Sequence, residues 1–133
     1  MKGSYVLVIK NKNNQTIHIG KLGKIFFKKG FYVYVGSALN GLEQRINRHL
    51  RENKKTHWHI DYLISKTEVV DVFFRQSKIK DECKIADNFK QKLKFIPNFG
   101  CSDCKCVSHL FYGSYEDITS CSRSSNLALH TNF

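Results

Sequence analysis

The sequence predicts one domain of mixed α/β (α+β) class, with a small central sheet flanked by helices. Three observations carry this. Short runs rich in β-branched and aromatic residues, YVLVI from Tyr5 to Ile9, FYVYV from Phe31 to Val35 and VVDVFF from Val69 to Phe74, read as strands. Between and after them, apolar residues recur at helical spacing in Leu42 to Leu50 and in Ile85 to Leu93. A chain of 133 residues suits one core and would hardly fill a second.

In chain order, Tyr5 to Ile9 is a mostly buried strand, and the polar cluster Asn11 to Gln15 turns the chain into a second strand, Thr16 to Ile19. Gly20 and Gly23 interrupt the pattern, and Ile25, Phe26 and Phe27, bracketed by lysines, form a short edge strand. In the next strand Phe31, Val33 and Val35 alternate with Tyr32 and Tyr34, so the branched residues and the phenols take opposite faces until Gly36 ends it. Leu42, Ile46, His49 and Leu50 then mark one face of a helix ending near Glu52, flanked by Arg45, Arg48 and Arg51.

The compact segment His57 to Leu63, read as a helix, pairs His57 with Asp61 and Trp58 with Tyr62. Val69 to Phe74 is a strand, and Asp81 has the position of a helix N-cap before Ile85, Ala86, Phe89 and Leu93. Pro97 stops the helical region, Asn98 to Ser108 is a loop, and His109 to Tyr112 is a last strand. The expected domain covers residues 1–115. Residues 116–133, rich in Ser, Asn and Thr, are expected to form a disordered or loosely packed tail.

Lys and Arg total 22 against 11 acidic residues, a net charge of +11. Such a field attracts phosphate polyanions before any specific contact forms, so nucleic acid is the expected partner. A membrane is not, because no polybasic block adjoins an apolar anchor, and Tyr5 to Ile9 is far too short to span a bilayer or serve as a secretory core. An odd number of cysteines, five, points to a reducing, cytoplasmic setting with thiols or a metal rather than a disulfide frame.

Two features concentrate possible chemistry. Glu82 heads the apolar stripe of its helix, where it either complements the helix dipole or is held inward for a cation. Cys101, Cys104, Cys106 and His109 have the spacing C-x2-C-x-C-x2-H. Zinc could take four such ligands, but packing them all into nine residues strains the loop, so reduced thiols packed on the core are the favoured reading.

Gly3-Ser4-Tyr5 on the first strand, Tyr34-Val35-Gly36 on a later one, then Arg45 and Glu82 on successive helices, stand in the order of the signature elements of the GIY-YIG nuclease superfamily. The chain resembles that superfamily over most of Gly3 to Asn98. It is closer still to a small, largely archaeal group of GIY-YIG-like proteins with similar segments HWHIDYL, ECKIA and SDCKCVSHLFY. The resemblance implies a mostly antiparallel sheet and metal-dependent hydrolysis of phosphodiester bonds, in DNA rather than RNA, with a repair or recombination setting. It assigns Mg²⁺ or Mn²⁺ to Glu82, the phosphate clamp to Arg45, and the water to Tyr5 and Tyr34, with His49 as a third candidate base. Arg48, Arg51, Lys54 and Lys55 are the candidate nucleic-acid contacts. Ser37 replaces a lysine found in other members, and one extra residue between Tyr34 and Arg45 makes Arg48 an alternative clamp. The long insertion Gln15 to Lys29 is expected to add to the sheet.

Overall fold

The structure is a computed structural model that describes residues 2–38, 41–51, 56, 58–100 and 106–130. Lys54, Lys55, His57, Cys101 and Cys104 lie outside the described residues. Among the described residues, eight strands and four α-helices, with a short 3-10 turn at Gly20–Leu22 between β2 and β3, follow one another as β1 (Gly3–Asn11), β2 (Gln15–His18), β3 (Lys24–Phe27), β4 (Gly30–Ala38), α1 (Leu42–Leu50), α2 (His59–Ile64), β5 (Glu68–Gln76), α3 (Glu82–Lys92), β6 (Lys94–Phe95), β7 (Leu110–Gly113), α4 (Tyr115–Ser124) and β8 (Ala128–Leu129). A six-stranded sheet has the order β6-β7-β4-β1-β5-β8, and each of these pairings is antiparallel. The mixed class and the helix-flanked antiparallel sheet are therefore as expected.

Strand alternation sorts the core into two layers. On β1, Tyr5, Leu7 and Ile9 join Ile46 of α1 and Ile60 and Leu63 of α2 on one face. Val6 and Val8 join Ile85, Ala86 and Phe89 of α3 and Ile118 of α4 on the other. β4 divides the same way, Tyr32 with the first layer and Val33 and Val35 with the second. Both layers are needed because β1, in mid-sheet, is buried along almost its whole length.

Three expectations change. The stretch from Gln15 to Lys29 does not extend the main sheet: β2 and β3 pair only with each other, as a separate ribbon over the first layer. Ile17 and Phe27 of that ribbon are buried in the layer, whereas Phe26 faces solvent. Gly36 does not end β4, which continues to Ala38.

The expected tail forms α4 and β8. Ser114 caps α4 by accepting the Asp117 amide at 3.0 Å, and Glu116 and Asp117 complement the helix dipole. Ser122, fully buried, donates to the Ile118 carbonyl at 2.8 Å, so a loop-favouring residue is satisfied inside a helix. Ile118, Cys121 and Leu127 enter the second layer, and β8 then adds to the edge of β5. Among the described residues, no helix is long and apolar enough to cross a membrane.

Candidate active site

β7 accompanies β4 only from Phe31↔Gly113 to Tyr34↔Leu110. One further contact follows, the Val35 amide donating to the His109 carbonyl at 2.9 Å, after which Gly36, Ser37 and Ala38 keep only β1 as a strand neighbour. A cavity of about 400 Å³ opens against this stretch. Side chains from both faces of the sheet meet there: Tyr5, Tyr34, Arg45 and Trp58 from the layer of α1 and α2, and Glu82 from the first turn of α3.

Tyr5 and Gly36 are partners in the β1–β4 register. A Cβ at residue 36 would lie 2.4 Å from Cζ of Tyr5 and 2.5 Å from its hydroxyl oxygen, so the missing side chain makes room for the phenol to cross its neighbour strand. The Tyr5 hydroxyl lies 2.6 Å from Nε2 of His49. His49 is itself buried and stands behind the phenol rather than on the cavity wall. Burial pushes the Tyr5 phenol well above its ordinary pKa, and Tyr34 adds to this, against the charge and hydrogen bond of Arg45. Tyr5 therefore holds its proton at neutral pH, and with the His49 ring proton on Nδ1 its O–H donates to Nε2. Gly36→Ala is expected to displace the phenol and destabilise the fold by roughly 1–3 kcal/mol. Urea unfolding checks the loss, and a fully retained midpoint would show that the ring has another place to go.

Arg45 is held by donation from Nη1 to the Ser37 carbonyl at 3.1 Å and by the Trp58 ring, whose centroid is 4.6 Å from its Cζ. A guanidinium has five donors, so these contacts leave N–H groups for an oxyanion. Arg48 is placed differently from the expected clamp. Its fork binds Asp61 through both carboxylate oxygens, at 3.0 and 3.1 Å, while its Cζ sits 4.2 Å from the Trp58 centroid. Asp61, wholly buried at its side chain, also accepts the Trp58 amide at 2.9 Å. Arg51 caps α1 and lines a second cavity, with His49 and Asp61.

Glu82 is 6% exposed, and its Oε2 has no hydrogen-bond partner among the described residues. Oε1 lies 3.5 Å from the Lys80 ammonium. The preceding residue fixes this placement. Asp81 occupies the N-cap position of α3, but its side chain does not cap; it accepts hydrogen bonds from Ser4 on β1 and Arg75 on β5. The start of α3 is thus tied to two central strands at the end where the cavity lies.

Burial would raise the Asp81 carboxyl, but the hydrogen bonds from Ser4 and Arg75 and the charge of Arg75 prevail and hold it below the usual value. A carboxyl that binds its proton more weakly when folded stabilises the fold fully above its unfolded pKa of about 4, and the contribution fades as pH falls toward the folded value. Asp81→Asn should therefore lower stability at pH 7 and flatten its loss below about pH 4. Denaturant midpoints at both pH values check this, and an unchanged acid dependence would discount the linkage.

On the remaining wall, His109 Nδ1 is 3.2 Å from the Val35 carbonyl. Burial lowers the His109 pKa, with the Glu82 charge and that carbonyl pulling the other way. The Gly100 amide donates to His59 Nδ1 at 2.9 Å, and burial lowers His59 as well. Lys21 completes a cation set with Arg45 and Lys80 around one carboxylate.

The cysteine grouping also differs from the sequence expectation. Cys106 and His109 stand together with Cys83 of α3, their ligand atoms all within 4.8 Å of one another. These three could bind a metal.

Of the residues expected at a site, Tyr5, Tyr34, Arg45 and Glu82 line one cavity and His49 backs it. Arg48 and Arg51 do not line it. Sequence reasoning missed Lys80, Lys21 and the positioning roles of Trp58 and Asp81. Lys80 stands two residues before Glu82, which is a usable signal; Lys21 sits in a glycine-rich turn with none.

Searches of the curated proteins and of the solved structures give no significant match to this chain. A family match extends over residues 4–130, including the segment that forms α4 and β8. The chain belongs to the family described as Domain of unknown function DUF123.

Proposed function

We propose that this protein is a metal-dependent endonuclease of GIY-YIG type that hydrolyses phosphodiester bonds in DNA, selecting branched or nicked structures in repair or recombination. The observation that carries the reading is the convergence of two phenols, a guanidinium and a buried carboxylate from four distant segments on one open cavity. A wall with three cations and one carboxylate suits a phosphate, and the net charge of +11 suits its polyanionic setting.

The donor set fits Mg²⁺ or Mn²⁺ at Glu82. A buried carboxylate oxygen without a hydrogen-bond partner among the described residues is a hard oxygen ligand, and one such ligand suffices for an ion that keeps several waters. When bound, the ion supplies charge relief on the reacting phosphate. Arg45 binds the phosphate oxygens through the donors left over from Ser37 and Trp58. Tyr34 and Tyr5 orient the attacking water, and the raised pKa of Tyr5 makes it a poor base by itself. His49, in contact with that phenol, receives the proton that Tyr5 passes on as it accepts one from the water.

A second reading rests on Lys80, whose ammonium already partly neutralises Glu82. In that case the chain is a nucleic-acid-binding module without turnover. Incubation with labelled branched, nicked and duplex DNA and matching RNA, with Mn²⁺ or with chelator, separates the two. Metal-dependent cleavage that the Glu82 variant lacks supports the nuclease. Salt-sensitive binding without cleavage selects the module.

A further inference from the structure

We infer that Cys83, Cys106 and His109 form a zinc site that clips the first turn of α3 to the segment leading into β7. Two thiols and an imidazole are borderline-soft donors of the kind that select Zn²⁺ over Mg²⁺ or Ca²⁺. Around a tetrahedral zinc, with Zn–S near 2.3 Å and Zn–N near 2.0 Å, ligand atoms lie roughly 3.5–3.8 Å apart. The three atoms here are within 4.8 Å of one another, so a contraction of at most about 1.3 Å closes the site.

The histidine is prepared for this role. Its Nδ1 lies 3.2 Å from the Val35 carbonyl, to which Nδ1–H donates, leaving the Nε2 lone pair for a metal. A ligating histidine commonly carries such a carbonyl or carboxylate on its other nitrogen, which fixes the tautomer and the ring orientation. Cys83 is exposed and Cys106 half-buried, so an ion can enter from solvent. On binding, the two thiols release their protons to solvent, and no oxidant is needed. The fourth position is left to water.

The position of the clip gives it a purpose. Cys83 directly follows Glu82, and His109 lines the same cavity, so the ion would join the helix turn that presents the carboxylate to the opposite wall. Sequence spacing hides the pairing, because Cys83 is separated from Cys106 by the rest of α3 and by β6.

The test uses the full chain, purified reduced, without chelator and without a metal-binding tag. Elemental analysis is expected to find about one zinc per chain. Co²⁺ added to metal-stripped wild-type protein is expected to give a thiolate-to-metal charge-transfer band, a readout that needs no variant to fold. Competition with a chromophoric chelator should show Cys83→Ser and Cys106→Ser weakening zinc by about tenfold or more. Cys121→Ala, on α4 and away from the cluster, should bind as wild type. Zinc removal should also speed amide exchange in the first turn of α3. Absence of both zinc and the Co²⁺ band would overturn the inference. So would wild-type zinc affinity in Cys83→Ser, or a Cys83–Cys106 disulfide in the reduced preparation.

Discussion

Glu82→Gln is expected to lower metal-dependent cleavage of DNA by on the order of 10³-fold, while the protein stays folded. The substitution keeps the volume of a side chain that is 6% exposed and removes only its charge. Among the described residues that charge meets the half-exposed Lys80 ammonium at 3.5 Å and acts on His109 across the cavity, and neither interaction holds the core together. An amide in place of a carboxylate with an unsatisfied buried oxygen should leave the melting temperature unchanged or slightly higher. Arg45→Ala should cost on the order of 10² in rate, through loss of the phosphate clamp. Cleavage assays and thermal melts on the same preparations check both, and residual cleavage equal to wild type in either variant would remove this cavity as the reaction site.

Breaking the pair between Arg48 and Asp61 is expected to have the largest effect on stability. Asp61→Leu leaves the Arg48 fork beside an apolar residue, and Arg48→Met strands a carboxylate with no side-chain exposure. Loss of one partner from a buried pair costs about 3–5 kcal/mol, a shift on the order of 10 °C in a domain of this size. The double variant should recover part of the loss, because two apolar groups of similar volume replace the charge pair, although the Trp58 amide loses Asp61 as its acceptor. Arg45 would feel the change too, since Trp58 carries both guanidiniums. The salt dependence of DNA binding should stay the same in the double variant, as expected of a cation already committed to Asp61. A slope reduced by about one would return Arg48 to the phosphate contacts.

What could be read from the sequence, and what could not, follows from how far each cause reaches along the chain. Alternation on β1 and β4 is a local property, so the division of Tyr32 from Val33 and Val35 was legible. The anomaly of Glu82 was also local, a carboxylate at the head of an apolar stripe. The partners of Asp81 were not, because Ser4 lies 77 positions away and only the register of β1 and β5 brings Ser4 beside Arg75. Gly36 resembled a strand terminator until its partner across the ladder proved to be an aromatic ring. The serines of α4 carry a turn-like composition, and their helix forms because it has an apolar face to bury on the second layer.

The β2–β3 ribbon has a further consequence. Its sheet is not shared with the six main strands, yet the bend that joins its two halves, at Gly20 and Lys21, forms part of the cavity rim, with Gly20 packed against Tyr62. A mouthpiece built this way can be lengthened, shortened or recharged while the machinery behind it keeps its shape. Related chains could then diverge in what they admit by editing this one flap.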